Sequence, residues 1–238
     1  AEKLGLNEVM AFDIQAACSG FIFSLATAEA LMKSLGARKA LVVGADTLSR
    51  MIDWNDRNTA VLFGDGAGAC ILESSGPEAD PVILASYLKT YSEGAQLITC
   101  EEQDRESDQN VSSPLDERRE RGPYLQMKGK SVFKAGVQLM TESVFAVLNE
   151  AGLSIDDVAL FVPHQSNIRM IDMVSQAIGL EDKSKIATTI DSVGNTSAAS
   201  IPITLAHYDR AGALKRGDLV LLTAVGSGIS YGSLLVRW

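Results

Sequence analysis

Four apolar runs along the chain, 39–45, 69–73, 158–162 and 218–224, lack the alternation of a half-exposed strand. Such runs predict strands covered on both faces. Between them, apolar positions recur at helical spacing over 20–35, 132–152, 168–178 and 196–211. Strands alternating with helices predict an α/β fold around a central, largely covered sheet. Residues 99–123 break the pattern: they are dense in Asp, Glu and Arg with few apolar anchors, which predicts a solvated surface excursion between two halves.

The two halves repeat one another. Phe12-Asp-Ile-Gln leads into Ala17-Cys-Ser-Gly20, a helical stretch, Gly36 and the apolar run 40–43; Thr189-Ile-Asp-Ser leads into Gly194-Asn-Thr-Ser197, a helical stretch, Gly212 and the run 219–222. Cys18 stands eighteen positions before its glycine stop and Asn195 seventeen before its own, so the pattern equates the two residues at the starts of two helices. Pseudo-symmetric halves would bring those helix starts towards one centre.

Composition narrows the function. With 46% hydrophobic residues the 238-residue chain can bury a sizeable core. No uninterrupted apolar stretch approaches the roughly 18 residues of a membrane span, and the first residues lack the basic-then-apolar order of a signal peptide. Three cysteines without CxxC spacing argue against a disulfide framework or a zinc cluster, and a reducing cytosol is the compartment expected. A net charge of −9 argues against nucleic-acid binding; an acidic protein partner would have to meet a local basic patch.

Candidate chemistry concentrates at a few positions. Cys18 lies among small residues that leave room at its sulfur, and the helix that follows offers free N–H groups and a positive dipole end, which predicts a thiolate nucleophile; a buried structural thiol is the plainer reading. Cys70, inside an apolar run, reads as packing, and Cys100 has no activating surroundings. His164 follows Phe161-Val-Pro163 at a strand's carboxyl end, where ligands gather in open α/β sheets; a hydrogen-bonded cap is the alternative. His207 reads as a partly exposed helix residue. Asn195 reads either as a helix cap or as an amide donor to a developing oxyanion. Neither Phe63-Gly-Asp-Gly-Ala-Gly68 nor Val225-Gly-Ser-Gly-Ile-Ser-Tyr-Gly232 carries a phosphate-loop pattern, so close backbone approach is the expectation for both.

Five segments, in order, resemble the β-ketoacyl-acyl-carrier-protein synthase III family: Asp-Ile-Gln-Ala-Ala-Cys-Ser-Gly-Phe (13–21), Leu-Phe-Gly-Asp-Gly-Ala-Gly-Ala (62–69), Val-Pro-His-Gln-Ser-Asn (162–167), Ser-Val-Gly-Asn-Thr-Ser (192–197) and Tyr-Gly-Ser-Leu-Leu-Val-Arg-Trp (231–238). The resemblance implies a thiolase-like, internally duplicated α-β-α-β-α sandwich, and a homodimer. It implies a Cys-His-Asn triad at Cys18, His164 and Asn195, with an oxyanion held by the backbone N–H groups of Cys18 and Ser227. Arg57 would contact coenzyme A near its adenine, Arg169 phosphate or carrier protein, and Asn167 would orient the pocket. Lys128, Lys130 and Lys134 could join Arg169 in a basic patch. The implied substrates are an acyl-CoA primer and malonyl-acyl-carrier protein, joined by decarboxylative Claisen condensation through an acyl-Cys18 intermediate in the cytoplasm, with no metal or redox cofactor, nucleic acid or membrane involved. Related synthases of secondary metabolism, of polyketide or alkyl-quinolone type, and a catalytically weak thiolase-fold subunit are the competing implications. In this reading residues 1–98 are the remainder of the N-terminal half, its first part incomplete, 99–123 the charged connection, and 124–238 the C-terminal half. The family's preceding α/β segment has no counterpart here, so residues 1–238 alone are expected to turn over poorly; robust turnover by the purified chain would refute that.

Overall fold

The computed structural model describes residues 1–74, 81–101 and 124–238. Its centre is a four-stranded sheet built from β3 (Ile83–Thr90), β6 (Leu160–Pro163), β7 (Leu219–Gly226) and β8 (Ser230–Arg237) in the order β3-β8-β7-β6. Only β6 and β7 run parallel; the other pairs are antiparallel. Alternate residues of these strands point to opposite faces, and both faces are packed. Val220, Leu222 and Leu234 look towards α1 (Gly20–Leu35) and α5 (Ser200–Arg210), which follows the single-turn α4 (Ile190–Val193). Leu221, Leu235 and Phe161 look towards α2 (Gly129–Ala151) and α3 (Ile168–Ala177). Burial on both sides explains why these strands read as continuous apolar runs.

A second sheet covers the other side of the α1–α5 layer. It pairs β1 (Lys39–Asp46) antiparallel with β2 (Gly66–Glu73), from Lys39 opposite Glu73 to Asp46 opposite Gly66. The layers therefore run helix, sheet, helix, sheet. The expectation of two covered faces fails for this pair: Val42 and Leu72 are buried, but Leu41, Val43 and Ile71 are 46%, 51% and 66% exposed. An apolar run records that both faces are apolar, not that both are covered. The glycines of β2 are close-approach positions, as expected. A Cβ on Gly66 would stand 2.8 Å from Ile203 Cδ1, and one on Gly68 would stand 2.9 Å from Pro202 Cβ, both on α5.

Helix boundaries follow the local chemistry. Helix α1 stops at Gly36, whose φ of 65° lets its N–H reach back to Met32 O. Helix α2 is, among the described residues, the one helix long and apolar enough to cross a membrane. Its Met140, Val144 and Val147 are sealed against the central sheet while Lys130, Lys134 and Glu142 face outward, so it is a core-covering helix. Ile98–Glu101 (β4) pairs with Tyr124–Met127 (β5); of the expected excursion, residues 102–123 lie outside the described ones. Strand β3, which precedes residue 98, joins the sheet of the C-terminal half.

The internal repeat is real, but its register differs from the expected one. Ala17 (φ 47°) and Ser197 (φ 53°) each open a three-residue 3-10 turn that runs straight into α1 or α5. Cys18 is thus matched by Ala198, and Asn195 lies three residues earlier, on an extended bridge to Phe63. The near-equal spacings arose because α5 has 11 residues against 16 in α1. Each turn rests on a glycine of the other half. A Cβ on Gly226 would stand 2.8 Å from Ala16 O and 2.9 Å from Cys18 N, and one on Gly44 would stand 2.5 Å from Ala198 O. Gly44→Ala should therefore lower the melting temperature by roughly 3–10 °C, from about 1–3 kcal/mol of overpacking. Gly129→Ala, at an open position at the start of α2, should leave it unchanged or slightly raised in the same thermal unfolding measurement.

Candidate active site

The turn carrying Cys18 is tied down on all sides. Ser19 Oγ donates to Ala16 O at 2.7 Å, Ser230 Oγ reaches the same carbonyl at 2.9 Å, and the two hydroxyls meet at 2.7 Å. With Ala17 left-handed and Gly226 behind the turn, Cys18 is half-buried. Ser197 Oγ donates to Cys18 Sγ at 3.4 Å.

Burial pushes the Cys18 thiol up to about 11; the Ser197 hydroxyl opposes this, the negative charge of Asp46 adds to it, and the backbone N–H of Cys18 opposes it again. The expected standing thiolate is therefore corrected. Desolvation at this position outweighs the hydrogen bonds, and the resting group is the thiol. Cys70 is pushed to about 11 by burial alone, and it packs against the core from β2. Acidity thus does not distinguish the two cysteines; the open N–H groups and the hydroxyl beside Cys18 do. Cys100 sits exposed in β4.

His164 is delivered by the end of β6. Its backbone N–H donates to Thr223 O at 2.8 Å, three residues along β7 from Gly226, which puts about 10 Å of strand between its backbone and the Cys18 turn. Gln165 behind it is fully satisfied: Nε2 donates to Pro163 O and Ala187 O, and Oε1 accepts from Thr189 N. His164 Nδ1 lies 2.7 Å from Ser200 Oγ. Burial holds the imidazolium down, to a pKa of about 4, so the ring is neutral at neutral pH. His207 is exposed on α5.

Of the two readings considered for Asn195, the structure shows the cap. Its Oδ1 caps the following turn by accepting Ser197 N at 2.9 Å, which turns its Nδ2 the other way. Its backbone is pinned to the 61–64 segment through Asn195 N to Leu62 O and Gly64 N to Asn195 O, both 2.9 Å. Among the described residues, the sealed and unpaired side-chain polar atoms are Thr141 Oγ1, Ser175 Oγ and Thr196 Oγ1. Asn195 Nδ2 and His164 Nε2 have no protein partner there and are not sealed, so both reach accessible space.

Among the described residues the backbone N–H of Cys18 makes no backbone hydrogen bond, and Gly226 beside it is followed at once by Ser227, whose hydroxyl turns away to Ile98 O at 3.0 Å. The second half shows what such a turn holds. Ala198 N, the counterpart of Cys18 N, donates to the Asp46 carboxylate at 3.0 Å. A carboxylate oxygen thus occupies in one half the place an oxyanion would take in the other.

One segment, 195–200, therefore touches both the sulfur, through Ser197, and the imidazole, through Ser200. A cleft of about 550 Å³ adjoins it, lined by Leu62, Asn167, Arg169, Ile190 and Gly194 among others. Asn167 is the N-cap of α3, accepting Arg169 N at 2.9 Å. Arg57 stands apart, exposed on a turn four residues before Val61, which lines that cleft. Ser197, Ser200, Asp46 and Gln165 were not anticipated as site residues; the serines were visible only as small residues around a helix start.

A duplicated sheet-and-helix sandwich that puts a cysteine at one helix start, and a histidine and an asparagine amide against the other, defines a thiolase-fold condensing acyltransferase. Family profiles agree with this class: 3-oxoacyl-[acyl-carrier-protein] synthase III matches residues 12–92, and the C-terminal profile of the same enzyme matches residues 148–238. The β-ketoacyl-[acyl-carrier-protein] synthase III of Mesorhizobium japonicum is 41% identical over 99% of this chain and 70% of its own length. The solved 3-oxoacyl-[acyl-carrier-protein] synthase III of Aquifex aeolicus superposes with a TM-score of 0.87 at 40% identity, over 100% of this chain and 70% of that one. A priming β-ketosynthase of a polyketide biosynthetic pathway superposes with a TM-score of 0.84 at 33% identity, over 99% and 68%. The chain belongs to the β-ketoacyl-acyl-carrier-protein synthase III family.

With the thiol near 11, alkylation of Cys18 by iodoacetamide should rise about tenfold per pH unit from pH 7 to 10 without levelling. Peptide mapping of the alkylated protein gives the rate, and a plateau by pH 8 would show a standing thiolate instead.

Proposed function

We propose that the chain starts fatty acid synthesis by taking an acyl group from acyl-CoA onto Cys18 and condensing it with malonyl-acyl-carrier protein. The observation that supports this most directly is the 195–200 segment, which bonds the Cys18 sulfur and the His164 ring at once. In the first half-reaction the Cys18 sulfur attacks the thioester carbonyl, and coenzyme A leaves as its thiol with the proton Cys18 gives up. The tetrahedral oxyanion lies at the N–H groups of Cys18 and Ser227. In the second, malonyl-carrier protein loses carbon dioxide, and its enolate oxygen is held by His164 Nε2–H and Asn195 Nδ2–H. The enolate carbon attacks the acyl-Cys18 carbonyl, the sulfur departs and regains a proton, and 3-oxoacyl-carrier protein is released. The chemistry asks for no metal or redox cofactor.

The cleft beside Asn195 suits the thioester arm, with Asn167 on its wall and Arg169 exposed on it. Met170 lies against Gly136 of α2, and Arg169, Lys130 and Lys134 are all exposed. Together with Lys128 these cations form the local positive patch an acidic carrier protein needs against a chain of net charge −9. Arg57 would meet the nucleotide end of coenzyme A. The working protein is a homodimer in the cytoplasm.

Incubation with labelled acetyl-CoA should place the label on the Cys18 peptide, and Cys18→Ala should remove it; label persisting on that variant would take Cys18 out of the mechanism. Asn195→Ala should slow condensation by about 10²–10³-fold while acylation stays within a few-fold, by stopped assays of each half. A second reading, priming in secondary metabolism, is favoured by the likeness to a polyketide priming synthase. Product analysis with malonyl-carrier protein against malonyl-CoA separates the two.

A further inference from the structure

His164 has two ring nitrogens, and the proposed chemistry uses one of them. Nε2 has no protein partner among the described residues and reaches accessible space, whereas Nδ1 faces Ser200 Oγ at 2.7 Å. His164 and Ser200 are buried, at 1% and 0% exposure, so water does not compete for the contact between Nδ1 and the hydroxyl. The surroundings of the hydroxyl decide it. Ser200 Oγ already accepts the backbone N–H of Gln165 at 3.3 Å, and its own proton has a single acceptor among the described residues, Nδ1. Were Nδ1 to carry the proton and point it at Oγ, the oxygen would receive two donors and its own proton would be buried without an acceptor.

The start of α5 is held firmly enough to make that choice binding. Thr204 Oγ1 donates to Ser200 O at 2.8 Å and meets Thr189 Oγ1 at 2.7 Å. The matching position at the start of α1 is Gly20, which has no hydroxyl, so the device exists only in the half that faces the histidine. No carboxylate bonds the ring among the described residues, and burial keeps it neutral, so the ring carries one proton and must place it on one nitrogen.

We propose that Ser200 is a positioning residue that donates its hydroxyl proton to His164 Nδ1, holding the ring proton on Nε2 and making His164 a hydrogen-bond donor to the substrate. The proposal rests on the reading of His164 as the group that holds the enolate oxygen. A ring so held cannot receive the Cys18 proton at Nε2. Ser200 therefore serves decarboxylation and condensation, not acyl transfer from coenzyme A.

The tautomer belongs to the resting protein and needs no turnover to observe. In the ¹⁵N-histidine-labelled chain at pH 7, with His207→Asn removing the second ring, Nε2 should give a protonated, pyrrole-type resonance and Nδ1 a pyridine-type one. The reverse assignment, or an even mixture, overturns the proposal. Ser200→Ala should mix the tautomers and slow decarboxylation of malonyl-carrier protein about tenfold or more, while transfer of an acyl group to Cys18 changes less than about threefold. Equal losses in both halves, or an unchanged decarboxylation rate, also overturn it. If Ser200→Ala does not fold, the spectrum of the unsubstituted serine decides alone. An Nε2–H tautomer in a protein that neither acylates Cys18 nor decarboxylates would uphold the lock and remove the functional reading instead.

Discussion

Backbone meets backbone at the centre of this protein, and a glycine on each side permits it. The turn that carries Cys18 leans on Gly226 of β7, and the turn that carries Ala198 leans on Gly44 of β1. A Cβ at either position would stand within 2.5–2.9 Å of the facing backbone, so the two would have to move apart. The contact between Ser197 and the Cys18 sulfur, at 3.4 Å, exists because of that approach. The histidine is tied to the same strand, since His164 N–H bonds Thr223 O, three residues along β7 from Gly226.

The duplicated halves share a device and put it to different ends. Each has a left-handed residue, a 3-10 turn and a helix, and each turn presents an N–H to the space in front of it. In the second half Asp46 occupies that N–H permanently and anchors the 195–200 segment. In the first half the corresponding N–H, that of Cys18, makes no backbone bond among the described residues. Asp46 also bears on the sulfur, since its charge adds to the burial that keeps Cys18 a thiol at rest. One carboxylate thus stabilises the architecture of the site while making its nucleophile harder to ionise.

The polar groups around the site are ordered by which of their atoms are already used. Asn195 spends its carbonyl oxygen on Ser197 N, and His164 spends Nδ1 on Ser200. Each keeps a nitrogen turned to accessible space. In the proposed condensation, donors held this way would need no rearrangement as the enolate charge develops, the condition under which such donors contribute most.

Read alone, the chain disclosed its long helices, the β1–β2 pair and two of the four strands of the central sheet, β6 and β7, because apolar runs and glycine stops leave local marks. It singled out Cys18, His164 and Asn195 as candidates because each sits in a distinctive small-residue or strand-end setting. Strands β3 and β8 were missed, since their apolar and polar residues mix and their pairing depends on a partner distant in sequence. The repeat was legible, but its register was not: spacing to a glycine stop matched Asn195 to Cys18, whereas backbone dihedrals match Ala198. The exposed face of β1–β2, the thiol state of Cys18 and the parts played by Ser197, Ser200 and Asp46 were decided only in three dimensions. Desolvation, carboxylate proximity and hydrogen-bond partnership all depend on which distant atoms come within a few ångströms, and residue order along a chain does not carry that information.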